Sequence, residues 1–254
     1  LPARTLASPP AAEPLERSLP LTNLPAPATP FVGRQAELAE IETLLQKPDC
    51  RLLTLLGPGG VGKTRLAIEA ARRLVETPGD ALGDAPSPVF PGGAVFVPLA
   101  PVASPESLVS AIAGALKLQF RSEQMRRDTP ETLKVQLVEF LRPRQLLLVL
   151  DNFEHLIAGA GLVSEILLAC PRLRLLVTSR ERLRLTEEWV LAVSGMAIPS
   201  DTSLAALETF SAYQLFLQHA RRLQAGFSAA PVDRAAIARI CRLVEGVPLA
   251  IELA

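Results

Sequence analysis

Eight consecutive residues, Gly57-Pro58-Gly59-Gly60-Val61-Gly62-Lys63-Thr64, follow the pattern GxxxxGK[ST], a spacing whose chemistry is the holding of phosphate groups. The glycines let the backbone curl until successive N–H groups converge on an anion, and a helix starting directly afterwards adds its positive end. In such a loop Lys63 reaches the β- and γ-phosphates, Thr64 offers a hydroxyl to magnesium, and Arg65 stands at the start of the helix beside them. A flexible Gly/Pro turn can match the same pattern by chance. The flanks decide against that: an aliphatic run, Arg51 to Leu56, precedes the loop and a helical pattern to about Glu76 follows it, the order a phosphate loop requires.

A second aliphatic run, Arg144-Gln145-Leu146-Leu147-Leu148-Val149-Leu150-Asp151, ends in an acid, the form of a buried strand that presents a carboxylate to a metal ion at its carboxyl end. Asp151 either faces magnesium or caps the next helix; beside a phosphate loop the first role is expected. Many ATPases place a glutamate directly after this acid to take a proton from the attacking water. This chain has Asn152, whose amide cannot accept that proton at neutral pH. Glu154 is either a substitute base or a solvated acid at a helix start, and His155 is a structural side chain. Slow hydrolysis is the expected consequence. A third run, Leu175-Leu176-Val177-Thr178-Ser179-Arg180, brings Thr178 and Arg180 to the same sheet edge, where either one is placed to sense a γ-phosphate. From spacing alone Arg180 reads equally well as a surface cation.

The elements that must position these residues form an α/β pattern. Short aliphatic runs alternate with helical stretches, as a parallel sheet with crossover helices requires, and strands are expected at Arg51 to Leu56, Ala94 to Pro98, Gln145 to Leu150, Leu173 to Thr178 and Trp189 to Val193. Ser104-Pro105-Glu106 and Thr129-Pro130-Glu131 each set a capping hydroxyl before a proline at the first helical position. Thr77 to Gly93 reads as a long surface loop. After Pro199 only helical patterns remain: Phe210, Tyr213, Leu217, Ala220 and Leu223 share one face, and Ile237, Ile240, Cys241 and Val244 another. Residues 1–29, rich in proline, read as a linker, 30–198 as the nucleotide-binding domain and 199–254 as a helical domain whose last helix stops short. The whole reads as a piece of a longer chain.

Bulk properties exclude several classes. The 26 basic and 26 acidic residues leave no net field to draw nucleic acid or an anionic membrane surface. Apolar runs fall far short of the roughly 20 residues of a membrane-spanning helix, and no signal peptide is visible. Three isolated cysteines, Cys50, Cys170 and Cys241, have no metal-binding spacing and suit a reducing cytoplasm.

Taken together, these segments resemble the STAND class of signal-transduction P-loop ATPases, relatives of the NB-ARC switch of apoptotic and plant immune proteins. Phe31-Val32-Gly33-Arg34-Gln35-Ala36-Glu37 resembles the class's opening motif, which lies over adenine, with Gln35 in place of the usual glutamate. Leu150 to His155 resembles the Walker B segment of bacterial members, and Thr178-Ser179-Arg180 the sensor whose arginine contacts the γ-phosphate. Gly246-Val247-Pro248-Leu249-Ala250 resembles the GxP motif, in which Pro248 packs on adenine. The resemblance spans about residues 30 to 254.

It implies a P-loop NTPase sheet of about five strands in the order 5-1-4-3-2, flanked by helices and followed by the small all-helical domain. It implies ATP or ADP with Mg2+ as ligands and a γ-phosphate contact by Arg180, which joins Lys63, Asp151 and Glu154 as the catalytic candidates, with metal contact expected from Thr64 and Asp151. It further implies a winged-helix domain and repeat sensors in cis, and self-association of the full-length protein in the ATP state. The expectation is a cytoplasmic regulatory switch, closed with ADP and opened by ATP, with no nucleic-acid contact from this segment. Two alternatives stand beside it: a motor or loader with continuous turnover, and a scaffold that has lost its nucleotide.

Overall fold

The computed structural model describes residues 20–76, 78–79, 87–118, 130–199 and 206–254. Most of the linker, residues 77 and 80–86 of the expected loop, and Thr129 lie outside the described residues. A six-stranded parallel sheet forms the centre: β1 (Leu21–Thr22), β2 (Leu52–Leu56), β5 (Gly93–Pro98), β6 (Leu147–Asp151), β7 (Arg174–Ser179) and β8 (Glu188–Ala192). A separate antiparallel ribbon joins β3 (Pro78–Gly79) to β4 (Ser87–Pro88). Along the sheet the order is β1-β5-β6-β7-β2-β8. The five strands read from the sequence therefore lie in the expected order, and the difference is β1. A two-residue segment inside the expected linker pairs with β5, and Asn23 extends the edge: its amide donates to the Phe96 carbonyl at 2.9 Å while its side-chain oxygen accepts from the Phe96 N–H at 2.6 Å.

Aliphatic strands bury both faces because helices cover both. Residues alternate between faces along each strand. Leu148, Leu150, Leu175 and Val177 enter one core with the helices α3 (Leu108–Ala115), α4 (Pro130–Leu141) and α5 (Ala160–Ala169). Leu147, Val149, Leu176, Leu53 and Leu55 enter the other, with α1 (Gln35–Gln46) and α2 (Lys63–Glu76). The expected cap Ser104 precedes a 3-10 turn rather than α3 itself and makes no side-chain cap bond.

The remaining helices, α6 (Ser211–Leu223), α7 (Pro231–Leu243) and α8 (Pro248–Leu253), enclose a third core around Tyr213, Leu217, Ile237, Cys241 and Ile251. Leu223, read as part of the apolar face of α6, is instead 78% exposed at its last residue, because the helix ends there with nothing packed over it among the described residues. Cys50, Cys170 and Cys241 are free and buried.

Candidate nucleotide site

In-register pairing sets Leu56 opposite Ser179 and Pro98 opposite Asp151. The carboxyl ends of β2, β6 and β7 thus share one edge of the sheet, where open α/β sheets bind ligands. The loop from Gly57 to Gly62 leaves β2 at that edge and enters α2. Gly57 N–H bonds the Ser179 carbonyl at 3.3 Å, and Gly60 and Gly62 take φ of +77° and +92°, a region that side-chain-bearing residues rarely adopt. Lys63 Nζ donates to the carbonyls of Gly57 at 2.7 Å and Pro58 at 3.0 Å. Its pKa lies below the ordinary lysine value, first because burial disfavours the charge and also because Arg180 is near, with Glu154 and Asp151 acting in the opposite direction.

Thr64 Oγ1 donates to Asp151 Oδ1 at 2.7 Å. This hydroxyl–carboxylate pair fits a magnesium ion of the hydrated kind, which takes one or two protein oxygens and fills its octahedron with phosphate and water oxygens. Among the described residues no group of three His, Cys, Asp or Glu side chains could hold a metal by itself. Asp151 is oriented from behind by Thr178, which is buried, donates to the same Oδ1 at 2.6 Å, and accepts from the Asn152 N–H at 2.9 Å. Thr178 is therefore turned toward Asp151 and occupied there. Asn152 sits at φ +68°, a left-handed conformation that asparagine tolerates better than most residues. His155 is tied to the Val102 carbonyl at 2.9 Å.

Glu154 and Arg180 meet: Arg180 Nε lies 3.0 Å from Glu154 Oε1. The guanidinium lies over the loop, since a Cβ on Gly59 would stand 3.1 Å from an Arg180 terminal nitrogen. Glu154 Oε2 is buried without a hydrogen-bond partner. The spatial arrangement thus gathers Lys63, Thr64, Asp151, Glu154 and Arg180 at one edge.

The opening motif plays a different part. Gly33 (φ +67°) and Arg34 (φ +62°) form a left-handed turn, and a Cβ on Gly33 would stand 2.4 Å from Ser211 Cβ at the start of α6. The buried Arg34 guanidinium donates to the Val61 carbonyl at 2.9 Å, the Ser194 carbonyl at 2.7 Å and Glu37 at 2.8 Å. It joins the phosphate loop to the segment between sheet and helices. Arg65 does not point along the loop. It donates to the Thr29 carbonyl and hydroxyl and to the Pro30 carbonyl, with its guanidinium 5.9 Å from the Phe31 ring.

Between the loop and α8 lies a slot of about 50 Å³ walled by Phe31, Val32, Met196, Leu215 and Pro248. A Cβ on Gly62 would be 3.8 Å from Pro248 Cγ, and the Leu249 N–H bonds the Gly60 carbonyl at 3.2 Å. The apolar walls and the adjoining phosphate loop fit a nucleoside. The volume is well under the few hundred Å³ of most ligand pockets. Met196, Leu215 and Glu252 also line the slot and were not picked out from the sequence. Only Glu252 carried a usable signal, standing four residues after Pro248 on the same helical face.

The model of the AAA ATPase domain family matches residues 30–178, more than half of the chain. A Mycobacterium tuberculosis protein provisionally named an HTH-type transcriptional regulator is 40% identical over 205 residues, 80% of this chain and 20% of its own length. A second, uncharacterized M. tuberculosis protein is 34% identical over 227 residues, 89% of this chain and 50% of its own. The chain thus spans between a fifth and a half of these relatives. Among solved structures, Cdc6p of Pyrobaculum aerophilum superposes with a TM-score of 0.57 at 18% identity, over 89% of this chain and 62% of that one. The STAND protein with a tetratricopeptide repeat sensor from Pyrococcus horikoshii gives 0.50 at 15%, over 94% and 31%. At these identities the likeness is one of fold.

Proposed function

Because the chain belongs to the AAA ATPase domain family, we propose that it works as a nucleotide-operated switch of the STAND type, closed around ADP and opened by exchange for ATP. The observation that carries this reading is the direct bond between lid and loop: the Leu249 N–H reaches the Gly60 carbonyl, and Pro248 faces Gly62 across the slot. A helical unit fastened to the phosphate loop in this way responds to whatever the loop holds, since a ligand shifts an equilibrium by its differential affinity for the two states.

Lys63 and the glycine N–H groups would hold phosphates, Thr64 and Asp151 the magnesium, and Phe31, Val32 and Pro248 the base. Bound magnesium and nucleotide supply charge neutralisation and the scissile phosphate bond. The chain's part in hydrolysis would be to hold a water for Glu154 and to place Arg180 against new charge. Asn152 after the Walker B acid, and Glu154 engaged by Arg180, favour slow turnover and hence a long-lived signal. The provisional name of the mycobacterial relative supports transcriptional regulation as the output of the whole protein; self-association in the ATP state belongs to the same proposal. Among the described residues no helix is long and apolar enough to cross a membrane, and a cytoplasmic location is part of the proposal.

The test is the nucleotide carried by the purified protein, released by denaturation and separated by chromatography. Stoichiometric ADP that leaves over minutes supports the switch. Protein that arrives empty and turns ATP over continuously at about 1 per second or faster, the ordinary range of enzymes, overturns it in favour of a motor. A melting temperature that neither nucleotide raises overturns nucleotide binding itself.

A further inference from the structure

We propose that a cleft at the amino edge of the sheet, remote from the phosphate loop, is a second ligand site that takes a small organic phosphate. The cleft has a volume of about 350 Å³, within the range of small-molecule pockets. Arg174 opens β7 there, while Gln145 stands just before β6 and Phe90 just before β5. β7 runs from Arg174 to Ser179 at the nucleotide edge, so about 17 Å of strand separates the two sites.

The charge of the cleft is one-sided. Arg172 and Arg174 line it, and no Asp or Glu does among the described residues. Neither of them, nor Arg51 just before β2, is in an ion pair among the described residues. Arg174 is half-buried and donates only to the carbonyls of Leu173 and Pro48, both at 3.4 Å, the long limit of a hydrogen bond. Its pKa lies below the ordinary arginine value, first because burial disfavours the charge and then because Arg51 is near, with Cys50 acting in the opposite direction. Arg51 itself is held by the Leu167 and Cys170 carbonyls, and its Nε is buried without a partner. Partly desolvated cations of one sign are costly until an anion joins them. A chain with 26 acidic residues does not lack carboxylates to pair such arginines structurally.

The walls select the kind of anion. Two guanidiniums suit a doubly charged group, and their planar forks match phosphate oxygens. Leu45, Phe90 and Pro171 form apolar wall beside them, which an inorganic phosphate ion would leave uncovered. The ligand that satisfies both parts carries a phosphate on an apolar body.

The experiment is a two-dimensional 1H–15N NMR titration with phenyl phosphate as the probe, with Mg·ADP present to fill the phosphate loop. Wild type is expected to bind with Kd of about 1 mM or tighter, as suits so small a ligand, and amides around Leu45, Phe90 and Arg172 to Arg174 should shift. Benzoate, with a single charge, and inorganic phosphate, with no apolar body, are each expected to bind about 10-fold more weakly. Arg172→Gln and Arg174→Gln are each expected to weaken phenyl phosphate by about 10-fold, the effect of one charge-assisted hydrogen bond, with ADP affinity unchanged. Arg172 is exposed, so its variant keeps the test open if Arg174→Gln fails to fold. Phenyl phosphate affinity that both variants leave unaltered, or shifts confined to the phosphate loop, overturns the site. Benzoate that binds as tightly as phenyl phosphate overturns the choice of a phosphate, and inorganic phosphate that does so overturns the role of the apolar wall.

Discussion

Arg180 Nε stands 3.0 Å from Glu154 Oε1, so the residue proposed to sense the γ-phosphate and the residue proposed to activate water hold each other. In the proposed switch a terminal phosphate would compete with Glu154 for Arg180, and the released carboxylate would be free to accept a proton. Glu154→Gln is expected to slow single-turnover hydrolysis by about 10²-fold, the lower end of general-base effects, with ADP affinity unchanged. Arg180→Ala is expected to remove preference for ATP over ADP, read as the ratio of two dissociation constants. Hydrolysis unaltered in Glu154→Gln would exclude it as the base.

Lys63 now donates to two loop carbonyls and would exchange them for phosphate oxygens. Lys63→Ala removes a charge-assisted contact and is expected to weaken both ATP and ADP by roughly 10- to 100-fold in calorimetry. Equal affinity of variant and wild type would exclude the loop as the phosphate site.

Arg34 satisfies the buried carbonyl of Val61 in the loop and the carbonyl of Ser194 in the segment leading to the helices. Arg34→Ala leaves both without their donor and is expected to cost about 3 kcal/mol in denaturant unfolding. Arg34→Lys recovers only part of that, since an ammonium lacks the planar fork that spans both acceptors. Bound ADP is expected to dissociate faster from both variants, measured by displacement of a fluorescent analogue.

Gly195 and Gly246 let two backbones touch between sheet and helical unit. A Cβ on Gly195 would stand 1.9 Å from the Glu245 carbonyl oxygen, and one on Gly246 would stand 2.2 Å from that of Met196. Gly195→Ala is expected to destabilise by about 2 kcal/mol, lowering Tm by on the order of 5 °C. Gly114→Ala and Gly161→Ala, in helices where an added Cβ meets nothing, are expected to stabilise by about 0.5–1 kcal/mol each. Calorimetric melting of the three variants checks both signs.

The sequence by itself determined the parts that local rules encode. Glycine spacing named the phosphate loop. Period and aliphatic composition located five strands to within two residues or so. An acid at the end of a buried run placed Asp151, and Gly246 with Pro248 marked the turn that carries α8. These features depend on a residue's own backbone preference or on neighbours a few positions away. What tertiary structure alone decided was which partner each polar side chain takes. Arg34 bonds carbonyls 27 and 160 residues distant, Thr178 turns to Asp151 instead of outward, Arg65 clamps Thr29 and Pro30, and Leu21–Thr22 becomes a strand only because the β5 edge is open. A buried donor must find an acceptor, and only the fold sets which acceptors come within reach. Spacing could therefore nominate Glu154 and Arg180, while their mutual ion pair emerged when β6 and β7 were laid side by side.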